Sequence, residues 1–284
     1  EQGEKCTKYF MAVLKKKLRE SNVMQLKDDA GNYMSHDRIQ AEILRFYSEL
    51  YAYRPAPRLR AELGWVQTVA DLPRLLHAEQ LATPITLGEC KHALFQKMKE
   101  GKAPGPDGIT VGLLKTFWPQ LGGHVLDSFQ HALQEGTLSV HQRTAMIRLL
   151  QKKGKDPTAL SNWRPISLMN TDTNILSRVL AERLKPFLPD LISQEQLAFV
   201  AGRQMVEGNR LIEYLIEYAD AGRCQGMIVA IDFRKAFDSV SHDYLFDLLE
   251  EFGLPAEFIQ ATRTLMSGGQ SYVNNNGSIT DNFP

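Results

Sequence analysis

The stretch that most restricts the fold of this chain is MIVAIDFRKAFDSV, residues 227–240. Five apolar residues, Met227 to Ile231, run unbroken and stop at Asp232. Such a run has the pattern of a strand buried on both faces. An ionised carboxylate at its end cannot enter that core without a partner. Asp232 could cap a turn or meet an arginine, as strand-end acids often do. It could be a phosphoryl-transfer nucleophile, although nothing else in the chain specifies one. It could also be a hard oxygen ligand for Mg2+ in nucleotidyl transfer, with the next carbonyl beside it and an aromatic further on as a floor under a sugar. A P-loop NTPase is excluded, because no GxxxxGK[ST] occurs.

Composition narrows the class. The chain has 284 residues, 43% apolar and 23% charged, ordinary values for a globular protein. No run of about 18 apolar residues predicts a transmembrane helix. Cys6, Cys90 and Cys224 are too far apart for a disulfide framework or a zinc cluster, and the seven histidines lack metal-ligand spacing. An intracellular, reducing location follows as the expectation, nuclear or cytoplasmic. The N-terminus has neither an initiator Met nor an apolar leader, and the C-terminus reads as a strand and turn, so a longer reading frame is expected. Net charge is zero, yet residues 141–210 hold 11 Lys/Arg against 6 Asp/Glu, and residues 211–260 hold 3 against 10. A basic segment suited to phosphates precedes an acidic one suited to cations.

The remaining pattern predicts helices around a small sheet, an α+β class. A basic amphipathic helix spans 8–20, and a turn at Gly31 follows. A helix over 36–51 should place Ile39, Ile43, Phe46 and Leu50 on one face. Residues 54–65 read as a Pro-rich linker. Thr86 and Glu89 form a capping box that opens a helix over 87–99. EGKAPGPDGIT, with three Gly and two Pro in eleven residues, must be an ordered loop. A helical region to about Gln134 should break near Pro119 and Gly122–Gly123 and close at Gly136. Strands at 145–151 and 163–169 form a hairpin with a lysine-bearing tip. A helix over 172–188 buries Ile175, Leu176, Val179, Leu180, Leu184 and Leu188. Leu211, Ile212, Leu215 and Ile216 mark another, helices near 241–252 and 256–266 follow, and a hairpin turns at Asn276-Gly277.

AIDFRKAFDSVSH resembles motif A of reverse transcriptases, specifically those of LINE-like, non-LTR retrotransposons. EGKAPGPDGIT, NWRPISLMNTDTNILSRVLAERLKPFLPDLISQEQLAFVAGRQ and YVNNNGSITDNFP resemble the family's successive blocks, in the family's order, and FYSELY resembles the segment ahead of its polymerase core. The resemblance implies right-hand polymerase fingers and a partial palm, residues 81–284, preceded by a helical N-terminal extension and linker over 1–80. It implies an RNA-directed DNA polymerase that transfers a nucleotide from a dNTP to a primer 3′-OH on an RNA template. Two Mg2+ serve, with Mn2+ as a substitute, and the partners are template RNA, DNA primer and dNTP, with no membrane. In such a protein Asp232 ligates both metals and the Phe233 carbonyl adds a ligand. Phe237 is the steric gate against a 2′-OH. Arg164 grips the triphosphate, with Lys152 or its neighbour Lys153 as a second cation. Arg203 touches template or primer, and the loop at Gly105-Pro106 is shaped near the template. Asp107 is a turn residue. Asp238 and Ser239 cap the next helix.

The chain departs from the family in one large respect. No [FY]xDD pair follows Asp232, and no GxxQGxPLSP block occurs. The fold is therefore expected to be truncated before the acidic pair and thumb, inactive alone, and prone to aggregation through exposed palm strands. The alternatives are a non-catalytic RNA-binding remnant or domesticated fragment, and a group II intron-type enzyme.

Overall fold

The computed structural model describes residues 21–28, 30–52, 72–222, 226–233 and 235–284. Its elements in chain order are α1 (His36–Tyr51), α2 (Leu87–His92), α3 (Val111–Thr116), α4 (Trp118–Glu135), β1 (Thr144–Gln151), β2 (Trp163–Leu168), α5 (Thr171–Leu184), α6 (Leu188–Leu191), α7 (Met205–Asp220), α8 (His242–Glu251), α9 (Ala256–Met266), β3 (Gln270–Asn275) and β4 (Ser278–Ile279). The class is α+β. The basic helix expected over 8–20 and the linker over 54–65 lie outside the described residues. The described residues form two compact units, one of 21–52, 86–176 and 264–284, the other of 72–85 and 177–263.

The first unit is built on a sheet of order β2-β1-β3-β4. β1 and β2 form the expected antiparallel hairpin, Leu150 opposite Arg164 and Arg148 opposite Ile166. β1 also pairs in parallel with β3, from Thr144 opposite Gln270 to Ile147 opposite Val273. Pro165, which cannot donate to a ladder, sits on the edge strand β2. β3 turns into β4 through Asn276 and Gly277, whose φ values of 54° and 87° are those of a tight two-residue hairpin.

The pleat sorts side chains between two faces. Ile147, Leu149, Trp163 and Val273 are buried with Ile39, Ile43 and Tyr47 of α1 and with Val23 and Leu26. Each such side chain contributes about 1.5–3 kcal/mol by leaving water. Residues 21–52 thus share one core with the hairpin. The buried stripe of α1 is Ile39–Ile43–Tyr47, while Phe46 and Leu50 only flank it. Asn275 fastens the early segment to β3: its amide accepts from Val23 N (2.7 Å) and donates to Val23 O (3.0 Å).

The helical part follows its local signals. Thr86 and Glu89 make a reciprocal capping box at α2, which runs on into a π turn at Ala93–Lys97. The break ahead of α4 falls at Phe117, with Pro119 in the first turn of the new helix. Gly122 and Gly123 do not interrupt α4, contrary to expectation. Gly122 instead makes room for the Trp118 ring, 2.8 Å from where a Cβ would lie. Gly136, at φ 71°, closes the helix.

In the second unit, Val179, Leu180, Phe187 and Leu191 are buried. The Arg183 guanidinium donates to the carbonyls of Leu81, Thr83 and Pro84. Two expectations are corrected here. α7 is amphipathic but buries no residue, and Leu211, Ile212, Leu215 and Ile216 are exposed. The apolar run Met227–Ile231 lies in no strand and is exposed as well. An apolar pattern is buried only when other elements cover it, and among the described residues no strand pairs with this run.

Candidate active site

The hairpin presents Arg164 on the open face of the sheet, opposite the face that Ile147, Leu149 and Trp163 bury. Arg164 is exposed, and among the described residues no hydrogen bond or ion pair engages its guanidinium. A planar guanidinium in that position can meet phosphate oxygens bidentately. The loop tip is held from within. The Trp163 indole donates to Pro157 O (2.9 Å), and Asp156 accepts from Thr158 N and Oγ1. Those bonds hold the Asp156 carboxyl below its usual range. Lys152 donates its amine to Ser161 O (2.9 Å), tying the two limbs of the loop together, whereas Lys153 is exposed.

The Gly/Pro loop is docked by a buried polar cluster. Gly105 is buried against Asn170, and a Cβ there would lie 2.5 Å from Asn170 N and from Met169 C. Pro106 next to it is exposed. Asn170 accepts from Asp107 N (3.3 Å) and donates to His141 O (2.8 Å). Thr171 donates to Ile109 O. Gln142 joins Ser128 Oγ (3.1 Å) to Asp172 Oδ2 (3.0 Å), and Thr173 donates to Gln142 O (2.8 Å). Asp107 accepts from Ile109 N (2.9 Å), the expected turn role. Burial raises its carboxyl above the ordinary range; the Ile109 N–H partly opposes this and the Asp172 charge adds to it. Asn170, Gln142, Thr171 and Thr173 were not among the residues expected from the sequence. The signal for Asn170, Thr171 and Thr173 was a polar run, MNTDTN, which looks like nothing more than a helix cap, and Gln142 lies outside that run.

In the second unit, Asp232 and Phe233 are exposed at the end of the unpaired apolar run. Phe237 opens a short 3-10 turn, Phe237–Ser239. At 81% exposed it is no core aromatic. Its ring meets Phe199 edge to face at 5.9 Å, and Phe199 itself holds a left-handed φ of 65°. The loop that presents Phe199 is braced by Arg203, whose guanidinium donates to the carbonyls of Ile192, Ser193 and Gln196. Three of its donors are therefore committed inside the protein. Asp238 and Ser239 lie in the 3-10 turn, and the cap of α8 is Ser241, which accepts from Tyr244 N (3.4 Å).

Among the described residues no group of three His, Cys, Asp or Glu is arranged to hold a metal. Asp232 with the Phe233 carbonyl offers one edge of a coordination shell. That does not fit a pair of ions about 4 Å apart, which needs further carboxylates.

The first unit carries the cation-bearing hairpin and the docked Gly/Pro loop, and the second carries the carboxylate-aromatic segment; these are the parts that the resemblance to template-directed polymerases led one to expect. Residues 150–282 match the family model described as reverse transcriptase (RNA-dependent DNA polymerase). The chain is 30% identical over 280 residues to the Transposon TX1 uncharacterized 149 kDa protein of Xenopus laevis, covering 98% of this chain and 21% of that protein. It is 27% identical over 261 residues to the probable RNA-directed DNA polymerase from transposon X-element of Drosophila melanogaster, covering 90% of this chain and 28% of that one. The RNA-directed DNA polymerase from mobile element jockey of Drosophila funebris is 25% identical over 222 residues, 76% of this chain and 24% of its own length. The chain belongs to the reverse transcriptases of LINE-like, non-LTR retrotransposons. It spans between 21% and 28% of the length of these three relatives.

Proposed function

We propose that these residues form the fingers and the first part of the palm of a polymerase that extends a DNA primer on an RNA template with dNTPs. The observation that carries this reading is Arg164: an exposed guanidinium, without a protein partner among the described residues, on the open face of a rigid hairpin. It would bind the triphosphate and offset its charge during transfer. Phe237 would stand against the sugar and exclude a 2′-OH by bulk. The Gly105-Pro106 loop would pack beneath the template, with contacts to its backbone that carry little sequence information. Asp232 would ligate Mg2+ only alongside further carboxylates, and among the described residues no group of three acids, histidines or cysteines is arranged around it.

The 284-residue chain alone is therefore expected to bind an RNA–DNA primer-template, with affinity that falls steeply with salt, and to incorporate no dNTP in Mg2+ or Mn2+. Primer extension and gel-shift assays test the two halves separately. Incorporation above that of Asp232→Asn would overturn the inactivity. Failure to bind the primer-template at low salt would overturn the polymerase-fragment reading itself. The lack, among the described residues, of any group of three potential metal ligands favours one second reading, a non-catalytic RNA-binding fragment. Under that reading RNA binds equally well without metal, and dNTP does not bind at all.

A further inference from the structure

We infer that Arg148 is a second phosphate-binding residue, which forms with Arg164 a two-guanidinium clamp for the polyphosphate of the incoming nucleotide; this rests on the reading of Arg164 above. The register brings the two together. Arg148 pairs with Ile166 and Leu150 with Arg164, so the arginines are diagonal neighbours on adjacent strands. Diagonal pairs on one face lie about 7–8 Å apart at Cα, within reach of long side chains. Both project to the open face, because Ile147 and Leu149 on either side of Arg148 are buried in the core.

Charge makes the pair unusual. Neither arginine has a carboxylate within ion-pair reach among the described residues. Like charges side by side on a sheet face repel, and an anion between them removes that repulsion. Arg148 is also held in place, since one terminal nitrogen donates to Asn274 Oδ1 (3.1 Å) on β3, the strand that flanks β1 on the side away from Arg164. That bond uses one of five guanidinium donors, and the rest remain available to a ligand. Lys152, the cation the sequence pattern favoured, has its amine on Ser161 O instead. A chain of phosphates reaches two separated guanidiniums, whereas a single phosphate meets one. The ligand class is therefore a nucleoside triphosphate or another linear polyphosphate.

The test is titration of the 284-residue chain with a fluorescent methylanthraniloyl dATP at low salt, with inorganic tripolyphosphate and orthophosphate as competitors. Tripolyphosphate should compete much better than orthophosphate. Arg148→Gln, which keeps a donor for Asn274 but loses the charge, should weaken binding about tenfold, as Arg164→Gln should, and Arg148→Lys should recover part of the loss. Matching melting curves will show that the variants fold. If Arg164→Gln weakens binding and Arg148→Gln does not, Arg148 only ties β1 to β3: the clamp is wrong and the hairpin reading stands. If neither weakens binding, or the unmodified chain binds no nucleotide, both fall together.

Discussion

Gly105→Ala should be the most costly single-methyl change in the Gly/Pro loop. The new Cβ would lie 2.5 Å from the backbone at Asn170 N and Met169 C, so backbone has to move rather than a flexible side-chain tip. Overpacking of that kind costs about 1–3 kcal/mol. If Asn170 is displaced, its bonds to Asp107 N and His141 O weaken too, at about 0.5–1.5 kcal/mol each. A total of about 2–6 kcal/mol follows. Two other glycines calibrate the series. Gly108 has open space but a φ of 74°, so alanine there should cost only the left-handed strain, about 1–2 kcal/mol. Gly123 lies in the interior of α4 with nothing within 4 Å of a new Cβ, so alanine there should stabilise by about 0.5–1 kcal/mol. Urea unfolding gives the three values, and amide hydrogen exchange over residues 100–110 shows whether the loop loosens. If Gly105→Ala is no worse than Gly108→Ala, docking on Asn170 is not what shapes this loop.

Two further outcomes are expected. Asn275→Ala removes both bonds to Val23 and leaves a buried N–H and C=O unpaired, so it should cost about 2–5 kcal/mol in the same unfolding assay and loosen residues 22–26 in hydrogen exchange; a loss under about 1 kcal/mol would show that this tie is dispensable. Asp107 has its folded-state carboxyl raised by burial, so its contribution to stability is complete below the ordinary aspartate range and is lost as pH rises through the raised value. Asp107→Asn should flatten that fall in melting curves taken between about pH 4 and neutrality, and a steeper fall in the variant would reverse the sign of the argument.

Much of the local structure was legible in the chain. The capping box at Thr86, the helix stop at Gly136, the β1–β2 hairpin and the Asn276-Gly277 turn are each decided within a few residues, by φ preference and short hydrogen bonds. The family blocks were legible for the same reason, since each is a run of adjacent residues. The exposed sides of α7 and of Met227–Ile231 were not, because periodicity reports which residues are apolar and not whether anything covers them. Nor was the docking of Gly105 on Asn170, the edge-to-face contact of Phe199 with Phe237, or the Arg203 brace. These depend on segments far apart in sequence, and nothing local encodes their meeting. The parallel pairing of β1 with β3 is of the same kind: it joins strands more than a hundred residues apart and holds Arg148 through Asn274. By itself the sequence determined the turns, the caps and the class of chemistry. Tertiary structure alone decided which polar groups are committed inside the protein and which face outward, because burial and register are properties of packed neighbours.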